Sequence, residues 1–169
     1  MRPFIDKVCK NRELIERNTE QILPTVFLER LQQILLPYFS QAYLDANLVL
    51  PEAFLIYLET VKGSLDSDWE WFGDSASVLY MTKDFCESWC RGDFLDRKKK
   101  GISKPNDTIW LKFGAWSDKH EWIICCDKSN PKFGWVFDCY DDHPLSNGER
   151  FLTNDEFDSF MEFVLKKFA

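Results

Sequence analysis

Three extended runs near the C-terminus, followed by one amphipathic segment, constrain the fold of this chain more than any other feature. The four segments are Asp107–Phe113, Glu121–Asp127, Gly134–Tyr140 and Thr153–Phe168. The connections between the runs are short and polar, and the second contains the turn-forming pair Asn130–Pro131. Connections this short permit hairpins and leave no room for a crossover helix. The order therefore predicts an antiparallel meander that a helix closes.

The apolar pattern of the first two runs indicates where each one lies in the sheet. In the first run Ile109, Leu111 and Phe113 occupy alternate positions, as in a strand with one buried face. The second run is apolar on both faces from Trp122 to Cys126. A strand without a polar face belongs in the middle of a sheet.

The last segment has the features of an amphipathic helix. Thr153 followed by Glu156 matches a capping box, and Lys166 and Lys167 place positive charge in the last turn, which suits the helix dipole. Its apolar residues recur at helical spacing and form one stripe: Phe157, Phe160, Met161, Val164, Leu165 and Phe168. We expect this stripe to pack against the sheet.

The first fifty residues are predicted to be helical. Asn11–Ile22 is charged with a thin apolar stripe, Pro24 can occupy the first turn of a buried helix, and Pro37 breaks or restarts that helix. Pro51 can open another short helix, for which Gly63 is a C-cap candidate. The predicted buried face of that helix consists of Phe54, Leu55, Leu58 and Val61.

The middle of the chain is predicted to contain two short strands and a helix. Trp69–Phe72 and Ser77–Met81 resemble strands on either side of Gly73–Asp74, and Thr82 can cap a helix that runs to about Cys90. The loop at 92–106 contains the basic run Arg97–Lys100. Because acidic residues flank this run, a solvated loop is favoured over nucleic-acid contact.

Composition limits the class of protein. A chain of 169 residues that is 45% hydrophobic and 16% aromatic is expected to fold as one domain. Its net charge of −7 argues against a general nucleic-acid binder and favours a basic partner. The N-terminus lacks the apolar core of a signal peptide, and no apolar stretch is long enough to span a bilayer. We therefore expect a cytoplasmic location.

The cysteine pattern predicts neither disulfides nor a metal site. The six cysteines include no Cys-x-x-Cys pair, and neither histidine lies at zinc-finger spacing from a cysteine pair. Reduced, mostly buried thiols are the prediction. The sequence also contains no phosphate-binding glycine loop and no dinucleotide fingerprint, so no cofactor is expected.

One string has the form of a catalytic motif. Phe72–Ser75 resembles the nucleophile block of the SGNH hydrolases, which would make Ser75 the nucleophile. Those enzymes carry the block near the N-terminus and supply a late Asp-x-x-His. Neither His120 nor His143 has an aspartate three residues before it. Because a serine without a positioned base is a weak nucleophile, we predict no catalytic residue and interpret the string as a turn between strands.

Two acidic clusters flank the predicted strands. The first contains Asp66, Asp68, Glu70 and Asp74, and the second contains Asp138, Asp141 and Asp142. Such clusters can serve solubility alone, or they can form an acidic face for a basic partner protein. In the second case Trp69 or Trp71 is a candidate aromatic anchor.

Read in order, several landmarks of the chain resemble the SUKH superfamily, the Smi/Knr-like proteins. They are Leu50–Phe54 with Tyr57, Leu58 and Gly63; Trp69–Gly73; Trp110–Gly114 and Trp122–Asp127; Gly134–Asp138; and Phe151–Thr153 with Phe157–Leu165. The resemblance covers about residues 48–168 and leaves 1–47 as a helical N-terminal segment of the same single domain. The chain departs from the family at Ser117–Glu121, where the central hairpin often has a turn rich in glycine and aspartate.

The resemblance implies an α+β fold with a mainly antiparallel sheet of about four to six strands and flanking helices. It also implies a non-enzymatic, protein-binding role. Many bacterial members are similar to immunity proteins that neutralise toxins, often nucleases, whereas fungal relatives are regulatory. The expected partner is then a basic toxin, and a regulatory interaction module is the alternative. A hydrolase that uses Ser75 is a more remote alternative.

Overall fold

The computed structural model of the chain describes residues 14–15, 22–60, 64–67, 70–88, 108–116, 120–140 and 156–168. Five helices lie within these ranges: α1 (Pro24–Leu35), α2 (Gln41–Asn47), α3 (Glu52–Thr60), α4 (Ser75–Ser88) and α5 (Phe160–Phe168). The strands are β1 (Leu14–Ile15), β2 (Ser64–Ser67), β3 (Glu70–Phe72), β4 (Trp110–Trp116), β5 (His120–Cys125), β6 (Val136–Tyr140) and β7 (Glu156–Phe157).

The strands form one antiparallel sheet in which every strand pairs with its neighbour in the chain. The three longest, β4, β5 and β6, form its centre, and this confirms the predicted meander and the α+β class. The predicted number of four to six strands is not confirmed. Within the described residues seven strand segments pair, but four of them have four residues or fewer.

Burial follows the predicted patterns of the central strands. Ile109, Leu111 and Phe113 are fully buried, as the alternation indicated, whereas Lys112 keeps some exposure. In β5 and just after it, every residue from Trp122 to Cys126 is buried. Strand β5 pairs with β4 on one side and β6 on the other, so both of its edges are hydrogen-bonded and it lies inside the sheet, as the apolar pattern predicted.

Helix α5 packs on the sheet through aromatic side chains, as predicted, although with a different set of residues. The ring of Phe160 lies 5.0 Å from that of Phe54 and 5.5 Å from that of Phe113. Phe163, which the predicted stripe omitted, is fully buried against Trp122 at 5.1 Å. Leu165, which the stripe included, is 47% exposed. The predicted stripe was therefore wrong at these two positions.

The predicted start of this helix is also wrong. Glu156 lies in β7, where Phe157 pairs with Val136, so the helix cannot begin before this strand ends. Ser159 caps the helix instead, because its Oγ accepts a hydrogen bond from the Glu162 N–H at 3.1 Å. The Glu162 carboxylate in turn accepts from the Asp158 N–H at 3.2 Å. The capping interaction in the structure therefore begins at Ser159, six residues after Thr153. Thr153 itself is outside the described residues.

The N-terminal half departs from an all-helical segment at one place. Leu14 and Ile15 pair antiparallel with Leu65 and Ser64, so the predicted helix over Asn11–Ile22 is wrong at these residues. The two proline predictions are confirmed. Pro24 is the first residue of α1, and Pro51 directly precedes α3, whose buried residues include Phe54 and Leu58.

The predicted strand over Ser77–Met81 is wrong, since these residues lie inside α4. Gly73 and Asp74 form a turn from strand to helix instead of a turn between strands. Asp74 accepts a hydrogen bond from the Ser77 N–H at 2.8 Å and so caps the helix. A Cβ on Gly73 would lie 2.7 Å from Met81 Cε and from Ser77 Cβ, which explains the glycine at this close approach.

Helix α4 lies along one edge of β4. Strand β3 pairs with β4 only from Gly114 to Trp116, which leaves the first half of that edge to the helix. The Thr82 hydroxyl donates to the Lys112 carbonyl at 3.3 Å and accepts from the Lys112 N–H at 3.2 Å. Thr82 is therefore a buried residue in mid-helix, and its predicted role as a helix cap is wrong.

A buried carboxylate joins the helical half of the chain to the sheet. Asp127 accepts hydrogen bonds from the Tyr43 hydroxyl at 2.6 Å and from the Ile109 N–H at 3.3 Å. Its other oxygen accepts from the N–H and hydroxyl of Ser129, at 2.9 and 2.6 Å. An isolated β-bridge pairs Asp127 with Leu48. One side chain therefore holds α2, the start of β4 and the turn after β5.

Replacing Tyr43 by Phe removes the hydroxyl that donates to Asp127 and retains the ring. Because hydrogen bonds to charged groups contribute about 1.5–3 kcal/mol, we expect the free energy of unfolding to fall by about that amount. Urea denaturation followed by circular dichroism measures it. Tyr80→Phe is the matched control, because Tyr80 is 74% exposed and should tolerate the same change. Equal stability of both variants would contradict this role of Asp127.

Replacing Phe160 by Ala should cost about 3–5 kcal/mol, because it leaves a cavity between α5, α3 and β4. The measurement is the unfolding free energy from guanidinium denaturation. Leu165→Ala in the same helix removes an exposed side chain and should change stability by about 0.5 kcal/mol or less. An unchanged unfolding midpoint in Phe160→Ala would overturn the packing described for α5.

Candidate functional site

The register of the sheet brings polar and aromatic residues of separate segments to one end. The outermost row of paired residues runs across five strands: Ser67, Glu70, Trp116, His120 and Tyr140. The next row contains Asp66, Trp71, Ala115, Glu121 and Cys139. We call these two rows the acidic end of the sheet, because they contain the acidic residues Asp66, Glu70 and Glu121.

Residues of the first acidic cluster lie at the acidic end, and the strand that precedes Asp141 in the chain ends there. Asp66 and Glu70 lie in β2 and β3, and Asp68 and Trp69 are the two residues between these strands. Strand β6 reaches the same end at Tyr140, directly before Asp141 in the chain. Four spacings of about 4.8 Å separate β2 from β6, so the end is about 19 Å wide. This width suits a macromolecular surface better than a small-molecule pocket.

The third row from this end is buried, which corrects one predicted surface residue. It contains Phe72, Gly114, Trp122 and Asp138. Asp138 is 1% exposed, because it lies opposite Trp122, whose ring contacts Phe163 of α5. Asp138 is therefore part of the core and not of an exposed face.

Asp74 is a second predicted surface residue that the structure buries. It is 3% exposed, and its carboxylate is engaged as the N-cap of α4. A negative side chain there also suits the positive end of the helix dipole. Of the other predicted residues, Asp66, Glu70 and Trp71 lie at the acidic end, whereas Asp68, Trp69, Asp141 and Asp142 fall outside the described residues.

An ion pair lies next to the acidic end. Lys112 Nζ is 2.6 Å from Glu121 Oε1, and both side chains are mostly buried. Lys112 pairs with Ile123, two residues from Glu121, so the two side chains meet diagonally across β4 and β5. This pair engages Glu121, whereas the other two acidic residues of the two rows, Asp66 and Glu70, lie in β2 and β3, at one side of the acidic end.

The geometry around Ser75 does not favour a nucleophile. Its side chain is 1% exposed, and Oγ accepts a hydrogen bond from the Ile22 N–H at 3.2 Å. The chain leaves the sheet after Phe72, since the Gly73 N–H bonds to Phe113 one row deeper. Ser75 therefore lies on the opposite side of the third row from His120. His143 is outside the described residues.

Cys125 and Cys126 are buried free thiols, and Cys86 is also buried and forms no disulfide. Burial raises the pKa of the Cys125 thiol to about 12, and the negative charge of Asp127 contributes in the same direction. Burial likewise raises the pKa of Cys126 well above its ordinary value. Within the ranges that the structure describes, no group of three or more His, Cys, Asp or Glu residues could hold a metal ion.

Sequence reasoning missed part of the acidic end. Trp116 and Tyr140 lie in the same row as Glu70, and His120 stands between them in strand order. The predicted first run ended at Phe113, whereas β4 continues through Gly114 and Ala115 to Trp116. The signal that could have found Trp116 is its place beside the polar hairpin connection, where paired strands end together.

None of the helices that the structure describes has the length and apolar character needed to cross a membrane. Comparison of the chain with protein-family models, with curated proteins and with solved structures finds no match.

The buried thiols give a prediction about reactivity and pH. Between pH 7 and 9 Cys125 should stay protonated, so native protein should be alkylated by iodoacetamide at this residue much more slowly than urea-unfolded protein. Above pH 9.0 an unfolded-state thiol loses its proton whereas the native one keeps it up to about 12. The unfolded chain then binds fewer protons, so this thiol lowers stability as pH rises through that range.

Peptide mass spectrometry of alkylated samples resolves each cysteine, and the urea-unfolded protein controls for intrinsic reactivity. Rapid alkylation of Cys125 in the native protein at pH 8 would contradict its burial.

Proposed function

We propose that this chain is a SUKH-like domain that works without enzymatic activity, by binding a basic protein partner through the acidic end of its sheet. One observation carries the proposal: the register places Asp66 and Glu70 at the same sheet end as Tyr140, which Asp141 and Asp142 follow in the chain. In this proposal, residues from two clusters that are about 70 residues apart in sequence contribute to one surface. The proposal includes the SUKH-like fold, with its sheet of about four to six strands.

Charge supports this choice of partner. The chain carries 28 acidic and 21 basic residues, and Glu121 is the acid of the two rows that an internal lysine neutralises. Carboxylates gathered at one end of a sheet create a local negative potential that attracts basic proteins and raises their association rate. The gain is mainly in rate and specificity, and it should weaken as salt screens the charges.

Aromatic residues can supply the binding energy of the interface. Trp71, Trp116 and Tyr140 lie in the two outermost rows, and tryptophan and tyrosine are the residues on which interface energy concentrates. A standard interface buries about 1,600 Å² in total, or about 800 Å² on each partner. An end of sheet that is about 19 Å wide, together with its adjoining turns, provides an area of that order.

The partner that we favour is a basic toxin, with the chain as its cytoplasmic immunity protein. The SUKH resemblance supports this role. A nuclease toxin must be basic in order to bind nucleic acid, and it would therefore complement this surface. The alternative is a regulatory interaction module of the Smi/Knr type, for which several weak partners would be expected instead of one tight complex.

The hydrolase alternative has less support, since Ser75 is buried and accepts its hydrogen bond from a backbone amide. A hydrolytic activity of the purified protein that Ser75→Ala abolished would favour this alternative.

The test begins with the stoichiometric partner that copurifies with the chain from its native cells. Asp66→Lys with Glu70→Lys, and separately Asp141→Lys with Asp142→Lys, should each slow association by about tenfold at low salt. Stopped-flow fluorescence measures the rate across ionic strength, and circular dichroism checks that each variant folds. Both double substitutions should slow association, because both pairs of residues belong to the proposed surface.

The matched control is Glu29→Lys with Asp45→Lys, which changes the net charge equally on exposed positions of α1 and α2. If this control slowed association as much as the other two variants, net charge and not the acidic end would be responsible. Wild-type rates in both test variants at every salt concentration would exclude the acidic end as the interface.

A further inference from the structure

A second surface lies on the helical side of the molecule, between α1 and α4. Two helix faces form its walls, with Arg30 and Ile34 on α1 and Leu79, Tyr80 and Lys83 on α4. These residues recur at the three- and four-residue spacings that place side chains on one helix face. The space between them has a volume of about 310 Å³ and opens to solvent. We call it the α1–α4 groove.

One end of the groove is fixed by a contact between the starts of the two helices. The Ile22 N–H donates to Ser75 Oγ at 3.2 Å, two residues before α1 begins and at the first residue of α4. Ile22 lines the groove at that end. The rigid attachment means that the groove is a preformed feature of the fold.

The groove combines an apolar floor with basic edges. Among the described residues, its lining includes Arg30 and Lys83 and no acidic side chain, although the chain as a whole carries a net charge of −7. Lys83 has an exposed ion pair with Glu87 at 3.9 Å, which is long and therefore contributes little. A carboxylate from another molecule can replace Glu87 at small cost.

Large apolar side chains lie exposed at the same place. Tyr80 is 74% exposed, and Leu23, next to the groove residue Ile22, is 67% exposed. The other large hydrophobic side chains that are exposed among the described residues, Val49 and Leu165, are less so, at 38% and 47%, and do not line this groove. The most exposed of the four, Tyr80, therefore lies in the same groove as the two bases.

We infer that the α1–α4 groove binds an acidic amphipathic helix of a partner protein. Apolar side chains of that helix would enter between Ile34 and Leu79 and pack on the Tyr80 ring. Its glutamates or aspartates, one turn away, would reach Arg30 and Lys83. Helix-in-groove recognition uses this combination of spaced apolar anchors and flanking charge. The surface is separate from the acidic end and of opposite charge, so this inference does not depend on the proposed function.

A helix fits the groove better than the other occupants. A bilayer surface is flat and would leave the concave floor unfilled. A second copy of this chain would bring its own net negative charge to only two bases. Both alternatives are outcomes of the experiment below.

The probe is a synthetic helix of about 14 residues, acetylated and amidated, with leucine at every third or fourth position and glutamate on both flanks. Titrated into ¹⁵N-labelled protein, it should shift the amide signals of α1 and α4 in a saturable manner. The same peptide with lysine in place of glutamate should not do so. Anionic vesicles and analytical ultracentrifugation of the protein alone test the membrane and the second copy.

Three variants locate the binding. Lys83→Glu and Tyr80→Ser should each weaken binding of the acidic peptide by about tenfold, since the first reverses a charge and the second removes an apolar contact. Lys128→Glu is the matched control, because Lys128 is an exposed base outside the groove. It should leave the affinity within about twofold of the wild type.

Several results would overturn the inference. They are the absence of shifts in α1 and α4 at millimolar peptide, equal binding of the lysine peptide, or equal weakening by Lys128→Glu. Vesicle binding that Lys83→Glu abolished would assign the surface to a membrane instead. A dimer that Tyr80→Ser dissociated would assign it to a second copy.

Discussion

The arrangement of this fold depends on one buried carboxylate. Asp127 accepts four hydrogen bonds, from Tyr43, from Ile109 and twice from Ser129. A buried charge is tolerated only when its oxygens are satisfied, so the three donor segments must meet at this point. Asp127 lies two residues after the last residue of β5, so this requirement ties the end of that strand to α2. The bridge between Asp127 and Leu48 then leads the chain into α3, which carries Phe54 into the core.

The central strands could be predicted from sequence because their patterns are long and unambiguous. Helix α4 could not, since five residues such as Ser77–Met81 fit either a strand or a helix, and only its buried residues further on, such as Phe85, reveal the helical period. The start of α5 illustrates a different limit. Thr153–Glu156 and Ser159–Glu162 match the same capping motif, and the pairing of Phe157 with Val136 selects the second one. That pairing is a tertiary contact that no local pattern contains.

The acidic end was visible in the sequence only as composition. Which carboxylates are exposed depends on neighbours: Asp74 is used to cap a helix, and Asp138 lies opposite Trp122 in the core. That Asp66 and Tyr140 lie at the same sheet end depends on the register of four successive strand pairs, each of which contributes one step. Residue type alone could therefore not tell which of these carboxylates lie at the sheet end and which are buried, since strand register decides this.

The contact between Thr82 and Lys112 has a consequence for how the molecule behaves in a crowded solution. A strand edge with unpaired N–H and C=O groups is a template on which a strand from another chain can add. At Lys112 both groups are already taken by one threonine hydroxyl, and the body of α4 blocks approach from that side. A helix side chain thereby closes the gap that the short strand β3 leaves, and protects that stretch of β4 from intermolecular sheet growth.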